Sequence, residues 1–206
     1  MEETIKQEDR KQQKIQTISS LLAKKTVGVA GAGGLGSNIA IALARSGVKQ
    51  FVLVDFDSID QSNLNRQYYF LSQVGQKKVL ALTENIHNIN PDVNCKIHQE
   101  KLVKGSMYKP FTDVDVVVEG LDNAETKIQF IEEIIQELPN VPVVAASGVA
   151  GYGHSDRIKT IRSGSLFMVY DEEALSSDDD VLLAPKVCLM ANWQANIVLE
   201  ILLGDI

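Results

Sequence analysis

TVGVAGAGGLGSNIAIALARSGVKQFVLVD, residues 26–55, decides the fold. Thr26 to Ala30 is a short β-rich run, and Gly31, Gly33 and Gly36 follow it in the spacing G-x-G-x-x-G. Ile39, Ala42 and Leu43 then recur at helical spacing, with Gly47 as the stop. Phe51 to Asp55 is a second apolar run that ends in an acid. The unit reads strand–turn–helix–strand. In that context the glycines let backbone approach a phosphate closely, and the helix N-terminus offers free N–H groups and the positive end of a dipole. Asp55 stands 19 residues after Gly36, where a carboxylate can accept hydrogen bonds from a ribose hydroxyl pair. The pattern serves NAD as well as ATP. The Walker pattern G-x-x-x-x-G-K-[ST] is absent, which excludes an ordinary P-loop.

The same alternation continues along the chain. Residues 75–90 (GQKKVLALTENIHNIN) read as a helix ended by Pro91, and Asn94 to His98 as a short strand. Val114 to Glu119 is a buried strand by its β-branched density, Ala124 to Leu138 a helix, and Val141 to Ser147 another strand. Strands alternating with helices predict an α/β fold, a mostly parallel Rossmann-like sheet with helices on both faces. Arg157 to Arg162 and Ser165 to Tyr170 flank a Ser-Gly turn and predict an antiparallel hairpin near the C-terminus. DEEALSSDDD, residues 171–180, lacks periodicity and reads as an exposed loop. Lys186 to Leu203 closes the chain as a helix capped by Gly204, with Trp193, Ile197, Ile201 and Leu202 as a stripe for the core or a dimer face, the core being expected. Residues 1–17 read as a polar arm or helix. Without a linker or internal repeat, residues 1–206 form a single domain.

Composition narrows the function. The chain has 206 residues, 45% hydrophobic and 23% charged, with a formal net charge of -7. That balance argues against nucleic acid as the main partner, because phosphate backbones call for clustered Lys and Arg. Two cysteines are too few for a disulfide framework or a four-thiolate zinc site and fit a reducing cytoplasm. The charged N-terminus has no signal core, and no run reaches the ~18 apolar residues of a membrane span. The expectation is a cytoplasmic protein that uses no membrane.

A polar cluster separates the nucleotide choices. After Asp55 the chain runs FDSIDQSNLNRQ, which brings Asp57, Asn63 and Arg66 close together; GQKK then opens a helix with Lys77 and Lys78. GLDN sets Asp122 just past the strand ending at Glu119, on the sheet edge where ligands of open α/β folds sit. Asp55 and Asp122 therefore flank one crevice, with Arg66 and Lys78 nearby. Two cations suit a triphosphate, and a carboxylate at a strand end suits Mg²⁺. The constellation fits nucleotidyl transfer better than hydride transfer.

GAGGLGS, VDFDSID, SNLNRQ, GQKK and GLDN, in this order and spacing, resemble the ThiF/MoeB/HesA family, bacterial relatives of ubiquitin-activating enzymes. The tail LAPKVCLMANWQANIVLEILLG is similar to the short ThiF type. The resemblance implies an adenylyltransferase that uses ATP and Mg²⁺ to join AMP to the C-terminal glycine carboxylate of a small β-grasp sulfur carrier resembling ThiS, in thiamine thiazole biosynthesis, with release of pyrophosphate. It implies a homodimer. It also implies that Gly31, Gly33, Gly34 and Gly36 hold the nucleotide and that Asp55 binds the ribose with Asp57 beside it. Asn63, Arg66 and Lys78 would contact the phosphates, and Asp122 would hold Mg²⁺ or orient the reacting groups. Arg66, Lys78 and Asp122 are the expected catalytic residues. A carboxylate attacking an α-phosphate meets like charge, so cations and metal must neutralise the repulsion. The nucleophile is already ionised at pH 7 and needs no general base.

The chain departs from the family pattern at several points. It lacks the two CxxC pairs of longer members, so no structural zinc is expected. Residues 171–185 hold no crossover-loop cysteine, and Cys188 stands in an apolar context that reads as packing. Lys127 occupies the place of an Arg in the DN-x-x-x-R segment, keeping the charge but losing the bidentate fork. Arg10 is the only arginine before Arg45 that could reach a neighbouring subunit. Other acceptors remain open: a molybdopterin-type carrier, or a tRNA-linked carboxylate, which the acidic charge disfavours. A NAD-dependent oxidoreductase would leave Asn63, Arg66, Lys78 and Asp122 unexplained, and a scaffold without catalysis would have no use for Arg66, Lys78 and Asp122.

Overall fold

The computed structural model describes residues 2–176 and 179–204, with side chains from residue 7 onward. Seven strands form one sheet: β1 (Thr26–Ala30), β2 (Gln50–Val54), β3 (Asn94–His98), β4 (Val116–Glu119), β5 (Val143–Ser147), β6 (Lys159–Ser163) and β7 (Leu166–Tyr170). Their spatial order is β3-β2-β1-β4-β5-β7-β6. All neighbouring pairs are parallel except the β6–β7 hairpin, which pairs Lys159 with Tyr170 and Ser163 with Leu166. The expected Rossmann-like sheet and its late antiparallel hairpin are both present. β6 is an edge strand with all five residues exposed, Lys159 and Arg162 among them.

Among the described residues, five α-helices accompany the sheet: α1 (Glu2–Leu22), α2 (Gly34–Ser46), α3 (Lys78–His87), α4 (Ala124–Glu137) and α5 (Ala184–Leu203). Side chains alternate between two cores, as the period of a strand requires. Val27 and Val29, Phe51 and Leu53, and Val116 and Val118 face the core built with α2, α3 and α5. Val52 and Val54, Val117, and Val143 and Ala145 face the other, built with α4 and the segment from Leu102 to Val114. Gly28 faces this second layer because Phe111 lies against it; a Cβ there would come within 2.6 Å of the ring.

α5 is apolar and long enough to cross a membrane by composition, but half of it is buried. Its main partners are α2, β4, β5 and β7. Ile197 and Leu202 belong to the core as expected, whereas Trp193 is 36% exposed. Residues 2–17 of the stretch expected as an arm or helix fall within α1, and Met1 lies outside the described residues. Leu22 is buried and Ile18 packs against the core, while residues 7–17 are exposed, Arg10 included. The loop after β7 differs from its expectation at its first residue. Asp171 is buried, because Lys186 Nζ at 2.9 Å and Arg157 Nη2 at 3.3 Å neutralise it. Lys186 also donates to the Ala150 carbonyl at 2.7 Å, so this knot ties the loop to the turn after β5. Residues 177 and 178 of the same stretch lie outside the described residues.

Candidate active site

The register sets the site. Ala30 pairs with Val54 on one side and with Glu119 on the other, so β1, β2 and β4 end level. The chain leaves those ends as Gly31, Asp55 and Gly120. A cavity of about 510 Å³ opens there, bounded on its far side by Ser147, Gly148, Leu175 and Leu182. Gly31, Gly33, Gly34, Asp55, Asp57, Arg66, Lys78 and Asp122 all line it. Two expected residues do not. A Cβ on Gly36 would lie 1.9 Å from the Gly31 carbonyl oxygen, so Gly36 is needed for packing the helix onto the turn. Asn63 accepts the Asp60 N–H at 3.1 Å and closes a helical turn, a local role that competes with ligand binding.

The glycine turn is held from both sides. Asp55 Oδ2 accepts the Ala32 N–H at 2.7 Å, and the Tyr69 hydroxyl donates to the Ala32 carbonyl at 2.7 Å. Burial and the Asp55 charge push the Tyr69 hydroxyl well above its ordinary pKa, so it stays a donor. Asp55 Oδ1 accepts the Asp57 N–H at 2.7 Å. Asp55 thus braces the turn with both oxygens, and a ribose hydroxyl would have to share them. Gly33 caps α2 without a side-chain hydrogen bond, which leaves first-turn N–H groups for an anion.

A short ladder fixes the cations. Ser58 bridges Lys77, Ile59 N donates to the Gln76 carbonyl at 2.8 Å, and Lys78 N donates to the Asp57 carbonyl at 3.0 Å. This ladder brings Lys78 to the cavity wall, where its Nζ pairs with Asp57 Oδ2 at 2.8 Å. Arg66 is half-buried and donates to two neutral oxygens, the Ser62 carbonyl at 3.2 Å and Asn65 Oδ1 at 2.8 Å. Asn38 supports it by donating to the Arg66 carbonyl at 2.9 Å. Lys127 lines the cavity and pairs with the fully buried Glu119. Among the described residues, Arg66 is the one of these three cations that pairs with no acid.

Glu119 escaped sequence reading, which placed it only as the end of a strand. Its Oε1 accepts the Leu121 N–H at 2.7 Å, fixing the turn that carries Asp122. Burial pushes its carboxyl up, against the pull of the Lys127 charge and hydrogen bond. The signal was an acid closing an otherwise apolar strand, eight residues before a lysine. Gln67, buried at the cavity wall with its Oε1 unpartnered among the described residues, was likewise missed.

Cys188 packs on α2, with its thiol 3.6 Å from Asn38 Oδ1. Burial pushes its pKa up, which suits packing rather than reactivity. No group of three or more His, Cys, Asp or Glu among the described residues is arranged to hold a metal. The donor set still fits Mg²⁺. Asp122 is an exposed carboxylate on the cavity wall, and this ion commonly takes one or two carboxylates together with substrate phosphates. Among the described residues, the four acids lining the cavity (Asp55, Asp57, Glu100, Asp122) match four cations (Arg66, Lys78, Lys101, Lys127) in number, so they offer a triphosphate no net positive charge.

The chain is 38% identical over 133 residues to the tRNA threonylcarbamoyladenosine dehydratase of Bacillus subtilis, covering 63% of this chain and 51% of the relative. It is 32% identical over 151 residues to ubiquitin-like modifier-activating enzyme 5 of Xenopus laevis, covering 68% and 37%. It therefore spans about half or less of the length of these relatives. The crystal structure of E. coli tRNA N6-threonylcarbamoyladenosine dehydratase in complex with AMP superposes with a TM-score of 0.82 at 20% identity, over 91% of this chain and 90% of that one. That likeness establishes the fold. Residues 9–206 match the ThiF family along nearly their whole length, and the chain belongs to that family.

Proposed function

We propose that this chain adenylates a carboxylate at the expense of ATP. The observation that carries the reading is the convergence of Arg66, Lys78 and Asp122 with the glycine turn on one cavity. A carboxylate oxygen of the acceptor attacks the α-phosphorus, the bond from that phosphorus to the bridging oxygen breaks, and pyrophosphate leaves. The α2 N-terminus and Arg66 hold the phosphates, and Lys78 meets the charge that grows on the leaving group. Asp122 would hold Mg²⁺, which when bound neutralises phosphate charge. The far wall, Ser147 to Ala150 with Leu175 and Leu182, is left for the acceptor.

For the acceptor, similarity to the Bacillus dehydratase supports a tRNA-linked carboxylate over the ThiS-like carrier of thiazole synthesis that the tail resemblance implies. The net charge of -7 works against tRNA, and the similarity to the dehydratase works for it. A carrier-protein C-terminus is the second reading, favoured by one observation. Leu175 and Ser176 line the cavity, and the acids Glu172, Glu173, Asp179 and Asp180 flank them, a setting that repels a polyphosphate backbone. ATP–pyrophosphate exchange with Mg²⁺ separates these acceptors. Exchange stimulated by tRNA bearing threonylcarbamoyladenosine supports the first, and exchange stimulated by a Gly-Gly-ended carrier supports the second. Mg·ATP binding with no exchange for either class overturns adenylation.

A further inference from the structure

Lys78 faces the cavity, yet its charge is already taken. The residue is only 6% exposed, and its Nζ lies 2.8 Å from Asp57 Oδ2. The contact is built rather than incidental. Lys78 N donates to the Asp57 carbonyl at 3.0 Å, and Asp57 N donates to Asp55 Oδ1 at 2.7 Å, so the backbone fixes both partners face to face. Arg66 on the same cavity donates, among the described residues, only to neutral oxygens. The two cations expected to meet phosphate therefore start from different states, one open and one occupied.

We infer that Asp57 is a latch, an internal carboxylate standing where a phosphate oxygen of the nucleotide will sit, and that binding transfers Lys78 from Asp57 to the phosphate. Chemistry favours the exchange. A carboxylate and a phosphate oxygen are interchangeable acceptors for an ammonium, and a triphosphate carries more charge than Asp57. Asp57 can release its partner at small cost, because its own side chain is 40% exposed and water can solvate it. While the site is empty, the latch spares the nearly buried ammonium the penalty of an unpaired charge. The inference rests on the ATP reading above. It reassigns Asp57, which the sequence placed among nucleotide contacts, as a residue that positions Lys78 and competes with the nucleotide.

Calorimetric titration of Mg·ATP and of adenosine into the full chain, Asp57→Asn, Lys78→Met and the double variant tests this. Asp57→Asn is nearly isosteric at a half-exposed position, and its melting temperature reports that it is folded. The latch predicts Mg·ATP binding about fivefold tighter in Asp57→Asn, adenosine binding unchanged, and the gain reduced below about twofold when Lys78 is Met. Weaker Mg·ATP or adenosine binding in Asp57→Asn would show Asp57 touching ligand or metal and overturns the latch. An equal gain without Lys78 reduces it to simple charge repulsion and overturns it too. Failure of the unaltered chain to bind Mg·ATP overturns the ATP reading together with the latch.

Discussion

Gly36 and Gly31 meet backbone to backbone: a methyl group built on Gly36 would lie 1.9 Å from the Gly31 carbonyl oxygen and 3.0 Å from Val29 Cγ1. Neither neighbour is the free end of a flexible side chain. Gly36→Ala must therefore push α2 off the turn, and a loss of about 1–3 kcal/mol or more follows from overpacking. Gly75 is the control, since its φ is +88° but nothing lies within 4 Å. Gly75→Ala should cost only about 1–2 kcal/mol of backbone strain. Urea unfolding of both variants makes the comparison, and equal losses would contradict the packing role of Gly36.

Asp122 is exposed on its turn and braces no other element, whereas Asp55 braces one. Asp122→Asn should leave the melting temperature within a degree or two and lower adenylation at least ~100-fold. Arg66→Ala should do the same with a larger rise in the KM for ATP, because Arg66 carries the open charge. Asp55→Asn, in contrast, should also lower the melting temperature. Steady-state exchange kinetics paired with thermal melts separate the three.

Asp171 sets a pH limit. Burial alone would raise its pKa, but the Lys186 hydrogen bond, the Glu173 N–H and the charges of Lys186 and Arg157 hold it below the ordinary carboxylate value. Its stabilisation is therefore complete above the unfolded value of about 4 and is lost as pH falls through the lower folded value. Asp171→Asn should flatten the acid limb of the stability curve. Lys186→Met leaves the buried carboxylate with Arg157 as its remaining cation and should cost about 3 kcal/mol, the low end for breaking a buried pair. Denaturant unfolding between pH 3 and pH 7 reads both effects.

Cys188 should be inert. Its partly buried thiol has its pKa pushed up by burial, so at pH 7 it should react with Ellman's reagent more slowly than free cysteine. Cys188→Ser should keep full exchange activity. A Cys188→Ser variant that binds Mg·ATP yet cannot pass the acyl group onward would assign the thiol a chemical role.

What was legible in the sequence was local or periodic. The glycine turn, the alternation of strands and helices, and the acids just past strand ends follow from spacing within about thirty residues, and each lies where it was expected. The missed features are pairings that spacing cannot show. Asp171 looked like one acid of an exposed loop until Lys186 and Arg157 closed on it. Glu119 looked like a strand end until Lys127 reached back from α4. Gly36 and Asn63 fit the motif by letter but stand off the cavity wall, where their packing and turn-closing contacts depend on atoms that a motif does not record. The extent of α1 was equally hidden, since a polar stretch carries little periodicity to read.

The solvated edge strand β6 also bears on how copies of this chain can meet. A backbone joining that edge would run alongside Lys159 and Arg162, whose side chains are engaged with Glu172 and with the face of Phe167. Joining there would crowd like charges and strip water from both strands, which makes the edge a poor template for growth. The hairpin thus gives the β6 side of the sheet a solvated border, poorly suited to take a further strand.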